Sequence, residues 1–126
     1  MSVKRVLIVD DTLIMRQRIK SIAEEAGWEI AGLAANGEEA VELCARENPD
    51  LVTLDIVMPK MDGVSALKCM IEQQPDVRVV MVSAVNQKEK LAECIQAGAI
   101  DFIVKPFDKA SLLQLFEKQY NSAGLG

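Results

Sequence analysis

The chain predicts an α/β fold, a single-domain (βα)5 unit built as a doubly wound, five-stranded parallel sheet. Three observations carry that expectation. Five short apolar runs recur along the chain, and several, such as VLIV at 6–9 and VVMV at 79–82, are continuous rather than alternating, as strands covered on both faces require. Segments with helical apolar spacing and recognisable caps lie between the runs. Strict strand and helix alternation then favours parallel pairing, because right-handed crossovers place each helix on a sheet face.

The first strand is expected over 4–9 and stops at Asp10-Asp11. The first helix follows over 12–26, with Met15, Ile19, Ile22 and Ala26 on one face and Gly27 in the C′ slot. Strand two, 29–34, runs out at Ala34-Ala35 with no reactive side chain. Asn36 caps the second helix, Glu39 completes a capping-box pattern, and Asn48-Pro49 stops it. Strand three, 51–54, is closed by Asp55, and Asp62-Gly63 opens the third helix. Strand four, 77–82, ends at Ser83. Asn86 with Glu89 repeats the capping-box pattern before a fourth helix ending at Gly98. Strand five, 102–104, meets Lys105-Pro106, and the last helix starts at Asp108 and turns Leu112, Leu115, Phe116 and Tyr120 inward. Residues 1–121 therefore read as one domain and 122–126 as a frayed tail.

Composition narrows the function classes. Half of the 126 residues are hydrophobic and 26% are charged, the balance of a globular domain rather than a disordered segment. A formal net charge of −5 and a pI of about 4.8 repel nucleic-acid backbones and anionic lipid. No apolar run approaches the roughly 20 residues that span a bilayer, so the expectation is a cytoplasmic protein with no membrane insertion and no nucleic-acid partner. Cys44, Cys69 and Cys94 share no metal-ligand spacing and read as reduced packing residues. The absence of histidine removes the commonest general base and metal ligand, so any phosphohistidine chemistry belongs to a partner.

In open parallel sheets, ligands bind outside the carboxyl ends of the strands. Those ends carry Asp10, Asp11, Asp55, Ser83 and Lys105. Each has a bland explanation: an aspartate at a helix start, a turn serine, a solvated lysine. Together they form a constellation. Two carboxylates about 5 Å apart repel by roughly 3 kcal/mol at an effective dielectric near 20, so three in one crevice imply a divalent cation. All-oxygen donors suit Mg²⁺, whose charge together with that of Lys105 balances the three acids. Such a site fits phosphoryl transfer to a carboxylate: Asp55 attacks in line, while the metal, Lys105 and Ser83 stabilise the equatorial oxygens.

The motifs LIVDD (7–11), LDIVMPKMDG (54–63), VSA (82–84) and FIVKPF (102–107) resemble those of the response-regulator receiver domains of two-component signalling, in order and over essentially the whole chain. The single-domain chemotaxis type, CheY-like, is the nearest pattern. The resemblance implies the flavodoxin-like strand order 2-1-3-4-5 and a cis Lys105-Pro106 bond. It makes Asp55 the phosphoacceptor, with Asp11 and Asp55 binding Mg²⁺ directly, the main-chain carbonyl of Val57 as a third protein ligand and Asp10 acting partly through water. Ser83 becomes the switch hydroxyl, Phe102 the switch aromatic and Lys105 the phosphate contact.

A receiver of this kind is a signalling switch, not an enzyme on external substrates. It would take its phosphoryl group from a sensor histidine kinase, a CheA-like phosphodonor, and alter its α4-β5-α5 face to control a downstream protein such as a flagellar switch. A phosphatase is a further partner, and the chain would act as a monomer or a phosphorylation-dependent dimer. Lys88, Lys90 and Lys109 near that face are surface cations open to an acidic partner. Val57 and Val85, two residues beyond the phosphoacceptor and the switch hydroxyl, cannot orient a water, which implies slow self-dephosphorylation. Phe102 in place of a tyrosine removes a phenolic hydroxyl from partner recognition. Other readings are a receiver cut from a larger regulator, an aspartate-nucleophile phosphatase, and a flavodoxin-like cofactor binder. The phosphatase would need an Asp-x-Asp pattern that VDDT lacks, and the cofactor binder a phosphate loop that does not follow strand one.

Overall fold

A computed structural model describes residues 3–125. Ten elements alternate without exception: β1 (Arg5–Val9), α1 (Leu13–Glu25), β2 (Glu29–Ala34), α2 (Gly37–Glu47), β3 (Leu51–Asp55), α3 (Gly63–Gln73), β4 (Val79–Ala84), α4 (Lys88–Ala97), β5 (Asp101–Lys105) and α5 (Lys109–Leu125). The strands form one parallel sheet in the order β2-β1-β3-β4-β5, as the resemblance implied.

The continuous apolar runs serve two cores at once, because successive side chains of a strand point to opposite faces. Leu7 and Val9 of β1, Val52 and Leu54 of β3 and Met81 of β4 pack with Cys44, Leu67, Met70 and Cys94 from α2, α3 and α4. Val6, Ile8, Leu51, Val80 and Val82 face the other way, against Ile19 and Ile22 of α1 and Leu112 and Phe116 of α5. Trp28 closes the second core. Its Nε1–H donates to the Phe116 carbonyl at 3.0 Å, and its ring meets Tyr120 edge-on. Both neutral buried cysteines follow from this packing, since burial pushes the Cys44 and Cys94 thiols up to about 11.

Most helix ends match their sequence signals. Asn36 caps α2 through the Glu39 N–H and Asp62 caps α3, while α1 starts at Leu13 with Thr12 as its cap, a role not singled out from the sequence. The Glu39 carboxylate reaches back to the Ala35 N–H at 2.9 Å, one residue before the cap itself. Asp108 accepts from the Ser111 N–H at 2.7 Å and so caps α5. The Asn86/Glu89 capping box is not formed. α4 begins one residue later, after Gln87, which makes no side-chain cap because its amide oxygen accepts the Ala84 N–H at 2.8 Å instead. Helix α5 is continuous over 122–125, most of the stretch expected as a tail; Gly126 lies outside the described residues.

Candidate functional site

Three of the expected rim residues lie inside strands rather than after them. Asp55 is the last residue of β3, Ser83 the penultimate residue of β4 and Lys105 the last of β5, since backbone pairing continues whether the side chain is polar or not. Asp10 follows β1 directly, with its N–H still donating to the Ala34 carbonyl at 3.1 Å. Ladder bonds thus fix the backbone beneath each side chain.

Asp10, Asp11, Asp55 and Lys105 form one cluster. Asp10 and Asp55 are 0% and 6% exposed, Asp11 is exposed, and one carboxylate oxygen from each lies within 4.8 Å of the others. The Lys105 ammonium donates to Asp10 Oδ2 at 2.7 Å and to Asp55 Oδ2 at 3.3 Å. To do so it crosses β4, where its paired residue Ala84 presents only a methyl group along the path. Asp10 Oδ1 accepts from the Thr12 N–H at 3.0 Å and the Thr12 hydroxyl at 3.1 Å, and Arg16 holds the Asp10 carbonyl at 2.7 Å. Thr12, Arg16 and Ala84 had not been singled out from the sequence. The D-x-T spacing of Asp10 and Thr12 was the only local signal for any of them.

The electrostatics follow from burial. Desolvation pushes the Asp55 carboxyl up to about 6; the Lys105 charge opposes that shift, while Asp10 and Asp11 add to it. Burial alone would lower the Lys105 ammonium, but its hydrogen bond to Asp10 and the charges of Asp55 and Asp10 outweigh desolvation and hold it above its ordinary value. The cluster is therefore rich in negative charge even with Lys105 in place. Its donor atoms are all oxygen, the set that suits a hard divalent cation.

Ser83 and Phe102 belong to a different environment at the same rim. Asp55 pairs with Val82, which faces the α1/α5 core, so strand alternation turns Ser83 to the α4 side. The Ser83 hydroxyl is buried and donates to the Ala84 carbonyl at 3.2 Å, not to a cluster carboxylate. Beside it lies a cavity of about 300 Å³ lined by Ser83, Val85, Lys88, Leu91, Phe102 and Val104. Phe102 is 46% exposed. Val57 and Val85, 49% and 67% exposed, both line an adjoining cleft of about 490 Å³ that also takes in Lys88 and Lys90, so Val85 and Lys88 border both spaces. Lys109 is engaged within the chain, 2.8 Å from Glu25. The Lys105-Pro106 bond is cis. No helix among the described residues is long and apolar enough to cross a membrane.

A family model described as the response regulator receiver domain matches residues 6–117. The chemotaxis protein CheY of Thermotoga maritima is 46% identical over 115 residues, covering 91% of this chain and 96% of that protein. The response regulator domain of Thermotoga maritima CheB superposes with a TM-score of 0.87 at 34% identity, covering 99% of both chains. A chain of the CheX-CheY-BeF3-Mg²⁺ complex from Borrelia burgdorferi has a TM-score of 0.84 at 42% identity, covering 88% of this chain and 84% of that one.

Proposed function

The chain belongs to the response regulator receiver domain family, and on that premise we propose that it is a phosphorylation-dependent switch, accepting a phosphoryl group on Asp55 from the phosphohistidine of a partner kinase. The observation that carries this reading is the nearly buried Asp55 carboxylate, held by Lys105 within 4.8 Å of two further acids.

Asp10, Asp11 and Asp55 would hold Mg²⁺, with the Val57 carbonyl as a further ligand. When bound, the ion neutralises charge on the phosphoryl oxygens and on the carboxylates themselves. In the transfer, an Asp55 oxygen forms the new P–O bond as the P–N bond to the donor imidazole breaks, and the electron pair leaves with the imidazole. No proton-transfer base is needed, because the nucleophile is already ionised above about pH 6. Lys105 stays within reach of the added oxygens. Ser83 must leave the Ala84 carbonyl to reach them, and the adjoining cavity can then take the Phe102 ring, which alters the α4-β5-α5 face. Chemotaxis is the output favoured by the CheY relatives, with a CheA-like kinase as donor and a motility protein as target. The CheB neighbour equally supports a receiver that serves a larger regulator.

Incubation with a small phosphodonor and Mg²⁺ is expected to put a single phosphoryl group on Asp55. Asp55→Asn or chelation should abolish the label, and turnover without stable label would instead indicate a phosphatase. The valines at 57 and 85 flank the site without a hydrogen-bonding group to steer water. Val57→Asn should therefore shorten the lifetime of the phosphorylated protein, measured as decay of the label after donor removal; unchanged decay would remove Val57 from this role.

A further inference from the structure

The loop from Asp55 to Gly63 carries the phosphoacceptor at one end and opens α3 at the other, and glycines pack against it from two directions. Gly63 donates its N–H to the Ile56 carbonyl at 2.6 Å. A Cβ there would lie 2.8 Å from Ile56 Cα and closer still to the Asp55 carbonyl oxygen. Gly63 is next to the site in sequence, whereas Gly37 comes from another element, the first turn of α2. Its N–H, one of the donors that a helix start leaves without an internal partner, donates to the Met61 carbonyl at 3.0 Å. A Cβ on Gly37 would lie 2.7 Å from both the carbonyl carbon and the Cβ of Met61, and closer still to the Met61 oxygen. These atoms are main chain or fixed to it, so no side-chain rotation relieves the contact.

The loop has little slack to absorb a displacement. The Met61 N–H is tied to the Pro59 carbonyl at 2.8 Å, and Lys60 sits at φ +67°. Nor is α2 free to retreat, because Asn36 is 6% exposed and caps the helix through the Glu39 N–H at 2.9 Å. We propose that Gly37 is a positioning residue for the divalent-cation site: close packing of the α2 start on Met61 sets the 56–62 loop and with it the Val57 carbonyl. This rests on the reading of Asp11, Asp55 and the Val57 carbonyl as metal ligands. Mg²⁺ tolerates little error in ligand placement, its bonds being about 2.0–2.1 Å in near-ideal octahedral geometry.

The test is Mg²⁺ affinity of the folded protein, measured by titrating MgCl2 and following the amide shifts of Asp11 and Asp55. Gly37→Ala is expected to raise Kd about 10-fold or more, in the range of lost supporting contacts around metal ligands. Gly32→Ala, whose Cβ would meet only side-chain atoms at 3.4–3.6 Å, should leave Kd unchanged. If Gly37→Ala does not fold, two cap deletions decide the matter. Asn36→Ala loosens the start of α2 and Asp108→Ala the start of α5; only the first should weaken Mg²⁺ binding. A folded Gly37→Ala with wild-type Kd, or equal effects of the two cap deletions, overturns the role of Gly37. Asp11→Asn separates the two readings. If it too leaves Kd unchanged, the metal site is misassigned; if it weakens binding while Gly37→Ala does not, only the positioning role is lost.

Discussion

Asp55 concentrates the tension of the site, because the proposed nucleophile must be ionised while its surroundings favour the protonated form. Burial and two neighbouring acids push its carboxyl up to about 6 against the pull of Lys105, whereas an unfolded aspartate titrates near 3.9. Between about pH 4 and 6 the native chain binds more protons than the unfolded one, so this group makes stability fall as pH rises through that window. The full penalty then persists at neutral pH. Without metal, Asp55→Asn should therefore be more stable than the wild type at pH 7–8 by about 1–2 kcal/mol, after allowing for solvent screening. The gap should close below pH 4 and shrink when Mg²⁺ is added. Thermal melts across this pH range check it, and a variant no more stable at neutral pH would mean that Asp55 carries no such penalty. Asp55 itself was legible as an acid ending an apolar run. Thr12, which bonds Asp10, and Ala84, which pairs with Lys105, were not, since their roles depend on a hydrogen bond made after a turn and on a strand register that links residues 84 and 105.

At the scale of elements, apolar periodicity placed every strand and helix because both sheet faces are covered, so each run records two cores at once. The errors fall where backbone and side chain part company. β3 and β4 carry on through Asp55 and Ser83, and pattern alone cannot see a ladder beneath a polar residue. Helix α4 starts one residue after the Asn86 signal implies, with Gln87 at the cap position and its amide oxygen taken up by the Ala84 N–H. Parity within a strand put Ser83 and Asp55 on opposite faces, and that becomes visible only once the register of β3 on β4 is known. The same observations set α4 apart energetically. It buries one residue, Cys94, and lacks a side-chain cap, whereas α3 buries Val64, Ala66, Leu67 and Met70 under an Asp62 cap. The cavity beside Leu91 removes further contacts. Helix α4 should open locally at a free energy roughly 1–2 kcal/mol below α3. Native-state hydrogen exchange would then show α4 amides exchanging well before those of α3, and equal protection would contradict a loosely seated α4.

For the whole molecule, β4 is the shared wall between two compartments. The acidic cluster occupies the α1/α5 side of the sheet end; Ser83, Phe102 and the 300 Å³ cavity occupy the α4 side. On the proposed reading, phosphorylation would add charge to Asp55, up to about −2 in total, and Ser83 could answer only by leaving its bond to Ala84. That movement would carry the event through the sheet, and the cavity beside the loosely held α4 is where the proposed second packing would form. A ligand shifts such an equilibrium only by its differential affinity for the two packings. Mg²⁺ with beryllofluoride, a phosphate mimic, should therefore move amide resonances of the acidic cluster and also those of 83–105, including α4. Phe102→Ala should keep the first set of changes and lose most of the second, because no ring remains to fill the cavity. Shifts confined to the cluster in the wild type would rule out the switch. Linkage makes the expectation quantitative: a target that binds the α4-β5-α5 face more tightly in the activated form, by a typical 5- to 150-fold, must tighten beryllofluoride binding by the same factor. In Phe102→Ala that mutual enhancement should collapse towards unity while direct binding of Mg²⁺ is retained, which separates failure of the coupling from failure of the site.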